Sequence, residues 1–343
     1  MTSTGSPVIR HDDVSRRAGL VHLFAQVLVK PLFTYWPLTD RGLAALARLE
    51  QAVDLLPKPR GVDIETVRLG GVRCERITHP RTATGDLRGA SILYFHGGGF
   101  VFCGLATHRP LCGLLAAASG VPVTSVEYRQ LPEGAIGASV ADALAAYAAL
   151  VEECEDPSKV IVAGDSAGGY LAMKIAEVAT SLGLPAPVAV IGYSPLLNLD
   201  FEAHDRALLS RDAYLPLDKV IAVKERWLAG PDVIPGAQSP VDADPRGFPP
   251  VFFSAAENEM LRPDLEAMTA TLHAAGRTVE THLWRGQIHA FPVIGKILRE
   301  SRAIIGLSID FAERAIGARR DVETGTDGVS DEATGRGGSA ATS

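Results

Sequence analysis

A serine enclosed by glycines stands near the middle of the chain. Gly164-Asp165-Ser166-Ala167-Gly168 follows an apolar run, Val160 to Ala163, and precedes a helical pattern. A GxSxG between strand and helix makes a sharp turn that exposes the serine hydroxyl at its tip. A Cβ at either flanking position would collide with a neighbouring strand or helix, which accounts for both glycines. The helix N-terminus behind the serine favours negative charge as it develops. Upstream, His96-Gly97-Gly98-Gly99-Phe100 follows the apolar run Ser91 to Phe95. Successive glycines leave their backbone N–H groups open to close approach. Such donors, joined by the N–H of the residue after the serine, form an oxyanion hole. The two motifs therefore predict attack by Ser166 on a carbonyl carbon, with the N–H groups of Gly98, Gly99 and Ala167 at the developing oxyanion and Gly97 of the same oxyanion loop shaping it. Asp165 is expected to anchor the elbow, and His96 to support the glycine loop by hydrogen bonding.

The surrounding elements must place these loops side by side. Short, nearly continuous apolar runs recur at Ser91 to Phe95, Val121 to Tyr128, Val160 to Ala163, Val188 to Tyr193, Pro250 to Ala255 and Val279 to Trp284. Runs of this kind are strands buried on both faces, as in a parallel sheet. Helical patterns lie between most of them, at Leu111 to Ser119, Ala138 to Cys154, Ala167 to Leu182, Leu265 to Ala275 and Gly295 to Ala315. The alternation predicts a doubly wound α/β sheet with right-handed crossovers. Before it, Asp63 to Leu69 and Val72 to Thr78 flank Gly70-Gly71 and read as a β-hairpin. Val14 to Leu56 has a 3.6-residue apolar period and ends at Pro57 and Pro59. More than fifty residues separate Tyr193 from Pro249, and an insertion of that length is usually functional.

HGGG upstream of GDSAGG resembles the bacterial hormone-sensitive-lipase-like esterases of the α/β-hydrolase superfamily. Tyr128-Arg129-Gln130-Leu131-Pro132-Glu133 is similar to that family's YRLAPE segment. Ser239-Pro240, GFPPVFF and His289-Ala290-Phe291 then follow in family order. The resemblance extends from about Ser91 to Ala315. It implies an α/β-hydrolase fold, with a mostly parallel central sheet flanked by helices and a helical cap. It also implies a triad of serine, acid and histidine in that chain order, with no metal or organic cofactor. His289, on the loop after VETHLW, fits the histidine. His282, inside that strand, and His273, on a helix, read as structural or surface groups. Glu257, Glu259 and Asp264 all lie just past PPVFFSAA, and Glu259-Met260-Leu261 matches the family's (D/E)-x-L spacing. Departures include Tyr170 where the family often has Asn, Gln130-Leu131 in YRQLPE, and GAIGAS at 134–139. The activity implied is hydrolysis of short-to-medium acyl esters, with lactones as a cyclic variant. The alternatives are an amidase and a non-catalytic small-molecule-binding protein on a hydrolase scaffold.

Composition narrows the partners. The 343 residues carry 33 Lys+Arg and 40 Asp+Glu, a net charge of −7, without the basic footprint of a nucleic-acid binder. Cys74, Cys103, Cys112 and Cys154 are too sparse for a disulfide scaffold and form no zinc motif. No secretory signal is evident at the N-terminus, so a cytoplasmic location with reduced thiols is expected. Ala18 to Val29 is apolar but too short to span a bilayer, and reads as a core-facing cap helix, with attachment to a membrane as the alternative. The domain reading is a cap segment at 1–60, a catalytic core at 61–195 and 246–318, a cap insertion at 196–245 and a disordered tail at 319–343. Aromatic and leucine residues of the cap, Phe24, Phe33, Tyr35, Trp36, Leu196, Leu197, Tyr214 and Trp227, are candidates to line an apolar pocket. The last strand, THLWRG, lies at a predicted sheet edge and could pair with a second copy as a homodimer.

Overall fold

The computed structural model describes residues 7–327. The chain opens with a short strand, β1 (Val8–His11), and a helical rod of α1 (Arg16–Phe24), one wide π turn (Ala25–Val29) and α2 (Lys30–Tyr35). Ser15 caps α1 by accepting from the Ala18 N–H at 3.2 Å. The π turn has a local cause: Pro31 offers no N–H to the preceding turn. Thr39 caps α3 (Asp40–Asp54), and the β2 (Asp63–Leu69) to β3 (Val72–Thr78) hairpin follows. Gly70 and Gly71 sit at φ 55° and 86°, the paired positive values that a two-residue hairpin turn needs.

Strand and helix then alternate: β4 (Ser91–Phe95), α4 (Leu105–Ser119), β5 (Val123–Val126), α5 (Ile136–Glu153), β6 (Val160–Asp165), α6 (Ala167–Val178) and β7 (Ala189–Tyr193). The insertion carries α7 (Arg206–Leu209) and α8 (Leu217–Leu228). β8 (Val251–Ala256), α9 (Arg262–Ala274), β9 (Val279–Trp284) and α10 (Arg299–Asp327) complete the described chain. The nine strands lie in the order β1-β9-β8-β7-β6-β4-β5-β3-β2. From β1 to β5 the neighbours are parallel, and the hairpin strands β3 and β2 are antiparallel.

Both faces of the sheet are covered, which is why its strands read as continuous apolar runs. Along β4, Leu93 and Phe95 enter the core shared with α5, α6 and α9, while Ile92 and Tyr94 enter the core beneath α4 and α10. The chain leaves β4 for β5 on one side and returns to β6 on the other. Their carboxyl ends therefore part at a switch point, where open α/β sheets hold their ligands.

Four expectations change. The sheet begins inside the cap segment, because β1 pairs in parallel with β9, Ile9 opposite His282. THLWRG is consequently not an edge strand, and the proposed pairing of a second copy there is lost. The tail is ordered further than its composition suggests: α10 runs through Arg319 and Arg320 to Asp327, with Arg320 paired to Asp86. Residues 328–343, including Gly335, Gly337 and Gly338, lie outside the described residues. Finally, the α1–α2 rod faces the core along one stripe only, through Ala18 and Ala25.

Phe253 of β8 is fully buried between sheet and helices. Phe253→Ala removes that ring from the packed core, and should cost about 3–5 kcal/mol. A urea midpoint lowered, at unchanged slope, by that free energy divided by the slope checks it.

Candidate active site

β6 delivers Ser166 to the carboxyl edge of the sheet at φ 51° and ψ −118°. A serine at positive φ is strained, and such residues persist only where their surroundings hold them. Glycines supply the room. A Cβ on Gly164 would stand 2.4 Å from the Gly168 carbonyl, and one on Gly168 would stand 1.9 Å from the Phe95 carbonyl oxygen. The first turn of α6 is therefore pressed against the end of β4. Ser166 N–H donates to Tyr193 O at 3.0 Å, and Ser166 O accepts from Leu196 N–H at 2.9 Å.

The glycine loop after β4 is coiled through positive φ at Gly98 (117°), Gly99 (62°), Phe100 (56°) and Cys103 (65°). A Cβ at Gly98 would lie 1.9 Å from Phe102 O. Asp165 holds the base of the loop. Its carboxylate accepts from Tyr94 OH at 2.6 Å and from Gly97 N–H at 3.0 Å, and it pairs with His108 Nε2 at 3.2 Å. The Gly97 N–H is thus taken by Asp165, and the residue shapes the loop. Among the described residues, no protein acceptor pairs with the N–H groups of Gly98 or Gly99. The Ala167 N–H belongs to the open first turn of α6.

His96 packs flat on Tyr128, whose OH donates to His96 O at 2.6 Å. Burial, with the nearby charge of His108, pulls the His96 imidazole down to about 3, so it stays neutral. The YRQLPE segment clamps the loop further. Gln130 Nε2 donates to Cys103 O at 3.0 Å, and Leu131 N–H to Phe100 O at 2.9 Å. Tyr170 sets its ring edge-on to Phe100, and its OH donates to Gln238 O at 2.7 Å.

His289 follows β9 and presents Nε2 to Ser166 Oγ at 2.9 Å. Its Nδ1 faces Glu259 Oε1 at 3.6 Å, an ion-pair separation slightly longer than a hydrogen bond. Neither of these two buried atoms has another partner among the described residues. Contacts of this kind are commonly long in the free state of such sites. Burial lowers the His289 pKa, but Glu259, then Asp212 and Asp165, outweigh it and hold the group above its ordinary value of 6.5. The other acid candidates lie elsewhere. Asp264 binds Asn198 Nδ2 at 3.0 Å and His204 Nε2 at 2.7 Å, and the Glu257 backbone carbonyl accepts from Arg262. His282 sits inside β9 against His11 and Glu280, and His273 is exposed near the end of α9.

Sequence reasoning missed the residues that orient this row. Ser194, at φ 49° just past β7, donates to Glu259 Oε2 at 2.7 Å and accepts from Ala290 N–H at 3.0 Å. One hydroxyl thus fixes both the acid and the loop bearing His289. Asp212 accepts from the N–H groups of Met260, Tyr214 and Leu215, tying the insertion to the turn that carries Glu259. Tyr214 OH donates to His289 O at 3.2 Å. Trp227 Nε1 donates to Gly99 O at 2.7 Å, so the cap also orients the glycine loop. The available signal for Ser194 was its place at the carboxyl end of a buried strand, where such sheets gather their functional side chains.

A cavity of about 350 Å³ opens onto Ser166 and His289. The rod contributes Phe24 and Phe33, and the insertion contributes Phe201, Val223 and Trp227. Of the aromatic and leucine candidates, Trp36, Leu196 and Tyr214 also line it. Tyr35 instead points to solvent, and Leu197 is fully buried in the core.

A strained serine, an imidazole and a carboxylate in line at the switch point of a parallel sheet define the chain as a hydrolase of the α/β type. Residues 92–293 match the family described as alpha/beta hydrolase fold. An acetyl-hydrolase of Streptomyces hygroscopicus is 32% identical over 274 residues, covering 80% of this chain and 89% of that protein. The carboxylesterase/phospholipase LipF of Mycobacterium tuberculosis is 28% identical over 312 residues, covering 88% and 83%. Among solved structures, a hormone-sensitive lipase from a metagenome library superposes with a TM-score of 0.75 at 28% identity, covering 87% of this chain and 98% of that one. The chain belongs to the hormone-sensitive-lipase-like carboxylesterases of the α/β-hydrolase superfamily, and is a carboxylic ester hydrolase.

Ser194→Ala leaves the Ala290 N–H without an acceptor and Glu259 Oε2 with only the Ala256 N–H. The expected loss is about tenfold in kcat at similar KM, with about 1–3 kcal/mol of stability, the cost of buried polar groups left unpaired. Steady-state kinetics beside chemical denaturation checks both.

Proposed function

We propose that the chain cleaves carboxylic esters of short-to-medium acyl length through a Ser166–His289–Glu259 triad. The observation that carries this reading is the contact of Ser166 Oγ with His289 Nε2 at 2.9 Å, beside free backbone donors and with Glu259 behind the imidazole. In the acylation step, Ser166 Oγ adds to the ester carbonyl while His289 Nε2 takes its proton. The carbonyl electrons move onto oxygen, and the N–H groups of Gly98, Gly99 and Ala167 stabilise that charge. Collapse expels the alcohol, which receives its proton from His289. Water then adds to the acyl-serine with His289 again as base, releasing the acid and restoring Ser166. Glu259 stabilises the imidazolium and keeps its Nδ1 turned inward.

The acyl-length reading is supported by the cavity, whose volume of about 350 Å³ falls at the small end of ligand sites and whose lining is mainly apolar. It accords with relatives described as acetyl-hydrolase and carboxylesterase. A tethered alcohol changes none of the steps, so small lactones belong in the same substrate screen.

Ser166→Ala should lower turnover of p-nitrophenyl butyrate by at least about 10³-fold while leaving the circular dichroism spectrum unchanged. Undiminished turnover would remove Ser166 from the reaction.

The pH profile has a definite sign. His289 acts as base only when neutral, so activity falls as pH drops through its pKa. That pKa is held above 6.5, first against burial and mainly by Glu259. The acid limb of kcat/KM should therefore lie above pH ~6.5. Glu259→Gln removes the charge that raises it. The limb should move to lower pH, and kcat should drop by about 10²–10⁴-fold. A limb that stays in place would transfer the role of acid to another carboxylate.

A further inference from the structure

The α1–α2 rod carries a surface that ester hydrolysis does not use. Its inward stripe, Ala18, Val21, Ala25, Val29 and Phe33, meets the core or the cavity. Its opposite side is apolar as well. Leu20, Leu23, Val27, Leu28, Leu32 and Tyr35 are each more than half exposed and recur at three- and four-residue intervals. The most apolar 18-residue window of Arg16–Tyr35 has a mean hydropathy of 1.2, yet only 11% of it is buried. A contiguous apolar face of this kind marks a contact surface.

Its charges indicate what it meets. The rod carries no Asp or Glu; its exposed cations are Arg16 and Arg17, while Lys30 Nζ donates to Ser210 O and Asp212 O in the insertion. The nearest carboxylates in sequence, Asp12, Asp13 and Asp40, lie outside it, and Asp13 is held by Arg299 and Asp40 by Arg226. A second copy docked on the same face would offer these cations no carboxylate from its own rod. An anionic lipid surface supplies both an apolar layer and negative charge. Cations beside an apolar helical face, with an aromatic residue at one end, are the features of a helix lying in a bilayer interface.

We propose that this face docks the protein in the plane of an anionic phospholipid bilayer, lying on it rather than crossing it. Phe24 links the face to the chemistry: it lines the cavity and is still 57% exposed. The docked layer is therefore continuous with the mouth of the pocket, and an apolar ester dissolved in the surface meets that mouth directly. Vesicle binding is read without turnover, so the proposal stands or falls apart from the triad.

The test is flotation of the full chain with vesicles of phosphatidylcholine alone or mixed with phosphatidylglycerol. The chain should float with the mixed vesicles and much less with phosphatidylcholine, and added salt should weaken binding. Leu23→Glu/Leu28→Glu should reduce recovery in the floating fraction by about tenfold or more, since each change sets a charge in the apolar layer. The same variant should hydrolyse the soluble ester p-nitrophenyl acetate at the wild-type rate, which reports an intact fold. Arg16→Glu/Arg17→Glu should weaken binding to the mixed vesicles alone. Failure of the wild type to float, or equal flotation of the double-glutamate variant, overturns the proposal. So does light scattering that shows a wild-type dimer dispersed by the leucine substitutions, which would give the face to a second copy.

Discussion

Everything in the site depends on how closely the first turn of α6 presses on the end of β4. A Cβ at Gly168 would meet the Phe95 carbonyl oxygen at 1.9 Å, so backbone touches backbone there. That contact places Ser166 at the tip of a strained turn and sets the glycine loop beside it. It also brings Asp165 under the loop, where one buried carboxylate accepts from Tyr94, Gly97 and His108. A strained backbone persists only when its surroundings over-determine it. Here the determination comes from four sides: β4 through Tyr94, α4 through His108, the YRQLPE segment through Gln130, and the cap through Trp227.

The same economy governs the acid and base. Glu259 and Asp212 are both buried, and every charge taken out of water needs partners. Asp212 takes three backbone N–H groups, and Glu259 Oε2 takes the Ser194 hydroxyl and the Ala256 N–H. Glu259 Oε1 is left facing His289 alone, so its charge acts chiefly on the imidazole. Burial by itself would depress the His289 pKa, and the ring of carboxylates reverses that. The site thus holds an imidazole that gains a proton readily, as a base must when serine surrenders one.

Much of this was legible because it was local. Val279–Trp284 and the β2–β3 hairpin coincide with their apolar and alternating runs, and Gly164 and Gly168 stand where a Cβ would clash. What sequence could not convey was mostly long-range. β1 is four residues whose strand geometry comes from pairing with β9, about 270 positions away in the chain. The start of α4 at Leu105 was hidden by Pro110, which breaks the helical pattern without ending the helix. Ser194 looks like an ordinary loop serine until folding brings it against Glu259, 65 residues along the chain, and Ala290, 96 residues along it. Composition misled only at the tail, where Arg320 reaches Asp86 and Arg319 reaches Ala186 O, extending α10 past the point where apolar residues thin out.

The cap resolves two opposed demands. The reaction gains from exclusion of water, because the N–H groups around the oxyanion act more strongly in a dry, low-dielectric site. An apolar ester must nevertheless enter, and an apolar entrance exposed to water is costly. Building one wall of the cavity from the helical rod meets both. Its inner stripe closes the pocket, and Phe24 and the residues beside it leave an apolar lip. That lip is unfavourable in water and favourable against an apolar layer. The structure therefore couples where the enzyme rests to how its substrate arrives, through residues that belong to neither the triad nor the sheet.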